Sequence, residues 1–137
     1  MGRFSVDFEV ANHEDIVRAR IGLISDKQVR RVRLRGVVDP GATRLVLPKK
    51  VVDRLGLAGT EKGKVRYAVR RVGKRDLVEG VYAEVQGRHG VFSAIVEPKR
   101  RSALIGAIVL EDFDFMVDCA SRRLVPRDPR FIVSEIE

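Results

Sequence analysis

Apolar and polar residues alternate from the start of the chain. Phe4, Val6, Phe8 and Val10 are separated by Ser5, Asp7 and Glu9, the two-residue period of a strand with one buried face. From His13 to Asp26 the pattern is less regular, and Ile16, Val17, Ile21 and Leu23 predict a strand interrupted by a turn at Gly22. Val32 and Leu34 alternate with Arg31, Arg33 and Arg35, and the run becomes continuously apolar at Val37-Val38 before Asp39-Pro40-Gly41. Proline and glycine break a strand ladder, which predicts Asp39 at a strand end, on a turn. Leu45-Val46-Leu47 reads as a short buried strand. Pro48 suits a first helical position, Val51, Val52 and Leu55 share one helix face, and Gly56 is a good stop.

In the second half, Val65 to Val69 and Leu77 to Val85 predict strands around the basic turn Arg70-Arg71-Val72-Gly73-Lys74-Arg75. Gly87-Arg88-His89-Gly90 predicts a second hairpin turn, leading into a strand from Val91 to Val96. Ala103 to Phe113 reads as a short buried helix entered through Leu104-Ile105-Gly106. Phe115 to Asp118 and Arg122 to Val125 form a last pair of strand pieces, and Pro126 and Pro129 open a tail whose residues Phe131 to Ile136 are apolar enough to pair with something. Many short strands with one or two brief helices predict a mainly β domain resembling a closed barrel.

Composition bounds this picture. The 137 residues, 45% of them apolar and 34% charged, suit one globular domain over 1–137. The net charge of +8 permits attraction to polyanions, but the arginines are scattered over apparent strands and loops, so a solvated basic surface is expected rather than a nucleic-acid footprint. Cys119 is the lone cysteine, which excludes an internal disulfide and points to a reducing, cytoplasmic compartment. The N-terminal residues carry acid early and lack the apolar stretch of a signal peptide. The longest apolar run, Ala103 to Leu110, is too short to span a bilayer. His13, His89 and Cys119 lack ligand spacing, so neither a metal nor another cofactor is expected.

Three features stand in one order: Val37-Val38-Asp39-Pro40-Gly41-Ala42-Thr43; the hairpin after Lys64-Val65-Arg66-Tyr67-Ala68; and Ala103-Leu104-Ile105-Gly106-Ala107, followed by an apolar helix. In this order the chain resembles the retropepsin-like aspartic proteases, single-domain relatives of pepsin. Their pattern is two apolar residues, Asp-Thr/Ser-Gly-Ala, an apolar strand, a flap hairpin, and an apolar-apolar-Gly motif before a helix. The resemblance covers roughly residues 29–126, leaving 127–137 as a C-terminal tail that could serve dimerisation. It implies the closed acid-protease barrel and an aspartic endopeptidase with Asp39 as catalytic carboxylate. Pro40, Gly41, Ala42 and Thr43 would complete the active-site loop, Tyr67, Ala68, Val69 and Arg70 would belong to the flap over a peptide or protein substrate, and Leu104, Ile105 and Gly106 would support the loop. Only one Asp-x-Gly-Ala is present, so the second carboxylate would be Asp39 of another copy, in a symmetric homodimer.

The sequence departs from that family at Pro40, where the usual Thr or Ser makes reciprocal hydrogen bonds across the dimer. Proline offers neither a hydroxyl nor an N–H, which keeps open a catalytically inactive, dimeric interaction module on the same fold. A third reading rests on Thr43-Arg44-Leu45-Val46-Leu47-Pro48 through Leu55-Gly56-Leu57, similar to the swapped-hairpin DNA-binding module of AbrB-like regulators. That module leaves Leu104 to Val125 without an account.

Overall fold

A computed structural model describes residues 3–68, 71–130, 132 and 136, with the backbone alone at Thr60. The expected flap residues Val69 and Arg70, and most of the tail from Phe131 to Glu137, lie outside the described residues.

The first strand, β1 (Phe4–Asn12), buries Phe4, Phe8 and Val10, as its alternation predicts. The next segment differs from the expected interrupted strand: it is a helix, α1 (His13–Arg20). Asp15 is its one buried residue, so α1 presents no apolar stripe to read. Its ends hold it instead. The Asn12 side chain accepts a hydrogen bond from the Asp15 amide, Glu14 and Asp15 occupy the first turn, and Arg18 and Arg20 the last. Gly22, at φ 84°, ends the helix, with its own N–H donating to Ala19 and that of Leu23 to Arg18.

A single 3-10 turn (Asp26–Gln28) leads to β2 (Arg31–Val38), which runs antiparallel to β1 in the register Phe4↔Val38 to Ala11↔Arg31. A Cβ on Gly36 would stand 2.7 Å from the Phe8 ring and 2.8 Å from Ile105, so only glycine lets the barrel close to this spacing. The strand β3 (Leu45–Pro48) is buried throughout, and α2 (Lys49–Leu55) turns Val51, Val52 and Leu55 inward. Gly56 caps α2 in the left-handed conformation at φ 69°, while Pro48 is the residue just before the first turn.

The hairpin arm is longer than the sequence predicts. The strand β4 (Gly59–Arg66) starts before Val65, and β5 (Val72–Val85) starts before Leu77. Between them the Tyr67 amide donates to the Arg71 carbonyl at 2.8 Å, joining the two sides of the hairpin. Main-chain pairing offset the weak apolar pattern of the arm: Lys64 lies opposite Lys74, and Gly63 opposite Arg75. The next turn is Gln86-Gly87, two residues earlier than expected, with φ of 49° and 83°. Two consecutive positive φ values give the tight hairpin turn whose twist matches the strands, so β6 (Arg88–Glu97) already includes His89 and Gly90.

Ala103 to Phe113 is not one helix. Ala103–Ile105 forms a strand, β7, and the helix α3 (Ala107–Asp112) begins only after Gly106. Pairing on both sides outweighs helix propensity here, since β7 lies parallel to β2 and antiparallel to β3. A two-stranded unit of β8 (Phe115–Asp118) and β9 (Arg123–Pro126) packs Phe115 and Leu124 into the core.

The main sheet runs β1-β2-β7-β3-β6-β5-β4, and β5 also pairs with β1. Six strands therefore close into a barrel, and β4 projects beyond it as the outer half of the hairpin arm. This is the mainly β, closed-barrel architecture that the strand pattern predicts.

Candidate active site

Asp39 follows the last residue of β2, at the mouth of the barrel. Its backbone is fixed first. The Asp39 amide donates to the Ile105 carbonyl at 3.0 Å, extending the β2–β7 pairing by one residue. The Ala42 amide donates to the Asp39 carbonyl at 3.0 Å, closing a turn with Pro40 and Gly41 at its centre. Proline pre-sets the backbone angle that the first central position of such a turn requires. The Asp39 side chain is then held by the same turn: Oδ1 accepts from the Gly41 amide at 3.0 Å. The side chain retains 15% of its exposure, so it is held without being sealed away.

The other carboxylate oxygen, Oδ2, faces Arg3, whose Nη2 stands 3.6 Å away. Sheet register explains the pairing, because Phe4 opposite Val38 places Arg3 opposite Asp39 one step along. Nothing in the local sequence around either residue announces this contact.

Beneath the loop, the Ala107 amide donates to the Ala42 carbonyl at 2.8 Å, and the Ile108 amide to the Thr43 carbonyl at 3.0 Å. A Cβ on Gly106 would clash with the carbonyls of Arg44 and Ala42. Leu104 pairs with both Val37 and Val46, and Ile105 is fully buried. Leu104, Ile105 and Gly106 thus lie under Asp39 to Thr43, tied to them through backbone groups. Arg44, just past the loop, donates to Ser93 Oγ on β6 at 3.0 Å.

Tyr67 and Ala68 lie where the hairpin arm turns. Tyr67 is half-buried, and its hydroxyl donates to Glu97 Oε2 at 2.6 Å. Arg75 Nε donates to the other oxygen of Glu97 at 2.7 Å. The Arg71 and Arg75 guanidiniums lie over the Tyr67 ring at 5.0 and 5.5 Å from its centroid. Burial, together with the hydrogen bond to Glu97, pushes the Tyr67 phenol above its ordinary range. Burial also pushes Glu97 upward, but the hydrogen bonds from Tyr67 and Arg75 outweigh it and hold the carboxyl below its ordinary range. The sequence pattern does not mark Glu97, because a lone acid before Pro98 at a strand end carries no local signal.

Among the described residues no group of three or more His, Cys, Asp or Glu side chains could hold a metal ion, and no helix is long and apolar enough to cross a membrane. Two of the β2 arginines face carboxylates of β1: Arg35 meets Asp7 at 3.2 Å and Arg31 meets Glu9 at 3.5 Å.

The fold is similar to that of a retropepsin-like aspartic protease from Rickettsia conorii, whose crystal structure matches with a TM-score of 0.50 over 85% of this chain and 86% of that one. The chain has the retropepsin-like fold. At 16% identity the likeness is one of backbone. A solution structure of the simian foamy virus (mac) protease is also similar, at 16% identity and a TM-score of 0.46, covering 58% of this chain and 81% of that one. No family model matches the sequence, and no curated protein matches it. Within the retropepsin-like fold, Asp39 occupies a strand end beside a turn, supported from below by β7 and the start of α3.

Proposed function

We propose that this protein is an aspartic endopeptidase that acts as a homodimer, hydrolysing peptide bonds with a water activated between two Asp39 carboxylates. The observation that carries this reading is the hold on Asp39: a carboxylate partly open to solvent, its Oδ1 oriented by the Gly41 N–H, on a loop fastened to β7 and α3. One copy supplies one such carboxylate. Two brought together by a symmetric pairing cannot both ionise at close range, so they would share a proton. The ionised partner would draw a proton from water, and the protonated one would polarise the scissile carbonyl. The pair would titrate as a unit.

Pro40 bears on this reading in two directions. It removes the hydroxyl and N–H that the family uses to lock two loops across the dimer. It also sits in the turn closed by Ala42 N–H and Asp39 C=O, which supports the loop within one chain. Arg3 and the absent hydroxyl lock together favour the second reading, a catalytically inactive dimeric module on this fold. The single cysteine is in keeping with a cytoplasmic setting.

Purified protein and Asp39→Ala, assayed against a mixed peptide library from acid to neutral pH, distinguish the two. Cleavage by the wild type that is lost in Asp39→Ala establishes the enzyme. A wild-type dimer without cleavage, unchanged in assembly by Asp39→Ala, establishes the inactive module.

A further inference from the structure

The hairpin arm pairs with the barrel through β5, and among the described residues β4 is an edge strand joined only to β5. An arm of this kind is expected to open locally at low free-energy cost unless its turn is fastened. The inner face of the arm carries Val65, Tyr67, Gly73 and Arg75, half-buried, whereas Lys62, Lys64, Arg66, Lys74 and Asp76 are exposed on the outer face. Tyr67 and Arg75 come from the two sides of the turn, and both reach Glu97 at the end of β6. Each takes one carboxylate oxygen, at 2.6 and 2.7 Å. The Glu97 side chain is 13% exposed, and that of Arg75 29%, so the contacts are sheltered from water. Charge-assisted bonds in such surroundings are among the stronger ones a side chain makes.

We infer that Glu97 is a positioning residue: its carboxylate anchors the turn of the hairpin arm to the barrel and sets where the inner face of the arm stands. The two oxygens are engaged by Tyr67, just past the end of β4, and by Arg75 on β5, so one residue fastens both sides of the hairpin. The Arg75 and Arg71 guanidiniums over the Tyr67 ring restrict that ring further. The effect on catalysis rests on the proteolytic reading, in which the arm covers substrate; the anchor itself is tested without it.

The test uses wild type, Glu97→Gln and Tyr67→Phe. Tyr67→Phe removes only a hydroxyl, so it remains informative if Glu97→Gln fails to fold. Limited trypsin digestion of the folded proteins, followed by mass spectrometry, reads cleavage after Arg71. The expected result is cleavage about tenfold faster in both variants, the change produced by losing one good hydrogen bond from a local opening equilibrium. In a Tyr82→Phe background, leaving Tyr67 as the one tyrosine, ultraviolet titration is expected to show the phenol ionising at lower pH in Glu97→Gln than with Glu97 present. Unchanged cleavage after Arg71 in folded variants, with an unmoved tyrosine titration, overturns the anchor. With a cleavable peptide, Glu97→Gln is expected to raise KM severalfold more than it alters kcat. If trypsin and titration respond while neither wild type nor variant cleaves any peptide, the anchor stands and the proteolytic reading falls.

Discussion

Asp15 and Arg30 form a two-pronged ion pair, Nε to Oδ2 at 2.8 Å and Nη2 to Oδ1 at 3.0 Å, and the Arg30 amide adds a third bond to Oδ2 at 3.1 Å. Asp15 is almost fully buried, and the pair joins α1 to the residue before β2. Asn12 extends the same network, donating through Nδ2 to the Leu55 carbonyl at the end of α2. Replacing Asp15 by Ala leaves Arg30 without its partner and α1 without its buried contact. Urea denaturation is expected to show a loss of about 2 kcal/mol, within the range for buried charge-assisted hydrogen bonds.

The same pair sets a pH dependence. The hydrogen bond from Arg30 outweighs burial and holds the Asp15 carboxyl below its ordinary value of 3.8. A lowered folded-state value means that the contribution is fully present above the unfolded-state value and disappears as pH falls through the folded-state one. Melting temperatures of wild type and Asp15→Asn should therefore differ at neutral pH and converge in acid, below about pH 4. A constant difference down to strongly acid pH would contradict the assignment.

Gly106 meets backbone rather than flexible side chains: a Cβ there would lie 2.8 Å from the Ala42 carbonyl oxygen and closer still to that of Arg44. Gly106→Ala must push β7 and the Asp39 loop apart. A loss of about 2 kcal/mol or more is expected, of the kind seen for overpacking in a tight site. Amide exchange at Ala107 should accelerate beyond the global change, because its N–H donates to the Ala42 carbonyl that the new Cβ displaces.

Pro40→Thr would return a hydroxyl and an N–H to the loop while giving up the preset turn angle. If the dimer forms at Asp39, two reciprocal hydroxyl bonds should tighten it about tenfold, from under 1 kcal/mol each. Sedimentation velocity over a dilution series measures this. No change in association would mean that the loops do not meet.

Arg3 lies beside Asp39 with a 68% exposed side chain, so the contact contributes little to stability. Arg3→Ala should leave the melting temperature nearly unchanged. If the protein cleaves peptides through Asp39, as proposed, the substitution should raise kcat/KM a fewfold at low salt, because Asp39 Oδ2 loses a competing cation. The gain should shrink at high ionic strength, where an exposed charge is screened.

The parts legible in the sequence are those whose cause is local. Alternation marks β1 and β2, Val51, Val52 and Leu55 mark α2, Gly56 marks its end, and the break at Asp39-Pro40-Gly41 marks the turn, because each depends on side-chain period or on the backbone limits of Pro and Gly. The order of Asp39-x-Gly41-Ala42 and Leu104-Ile105-Gly106 predicts the retropepsin-like barrel, which the structure has. Tertiary structure decided what depends on partners distant in the chain. The helix α1 exists through its caps and the Asp15–Arg30 pair, with no apolar face to betray it. Ala103–Ile105 became a strand because β2 and β3 leave an open slot between them. Arg3 reached Asp39 through sheet register, and Glu97 reached Tyr67 across thirty residues through the fold of β5 onto β6. A sequence pattern carries the periodicity of one element; it carries no distance between two side chains that meet only when the barrel closes.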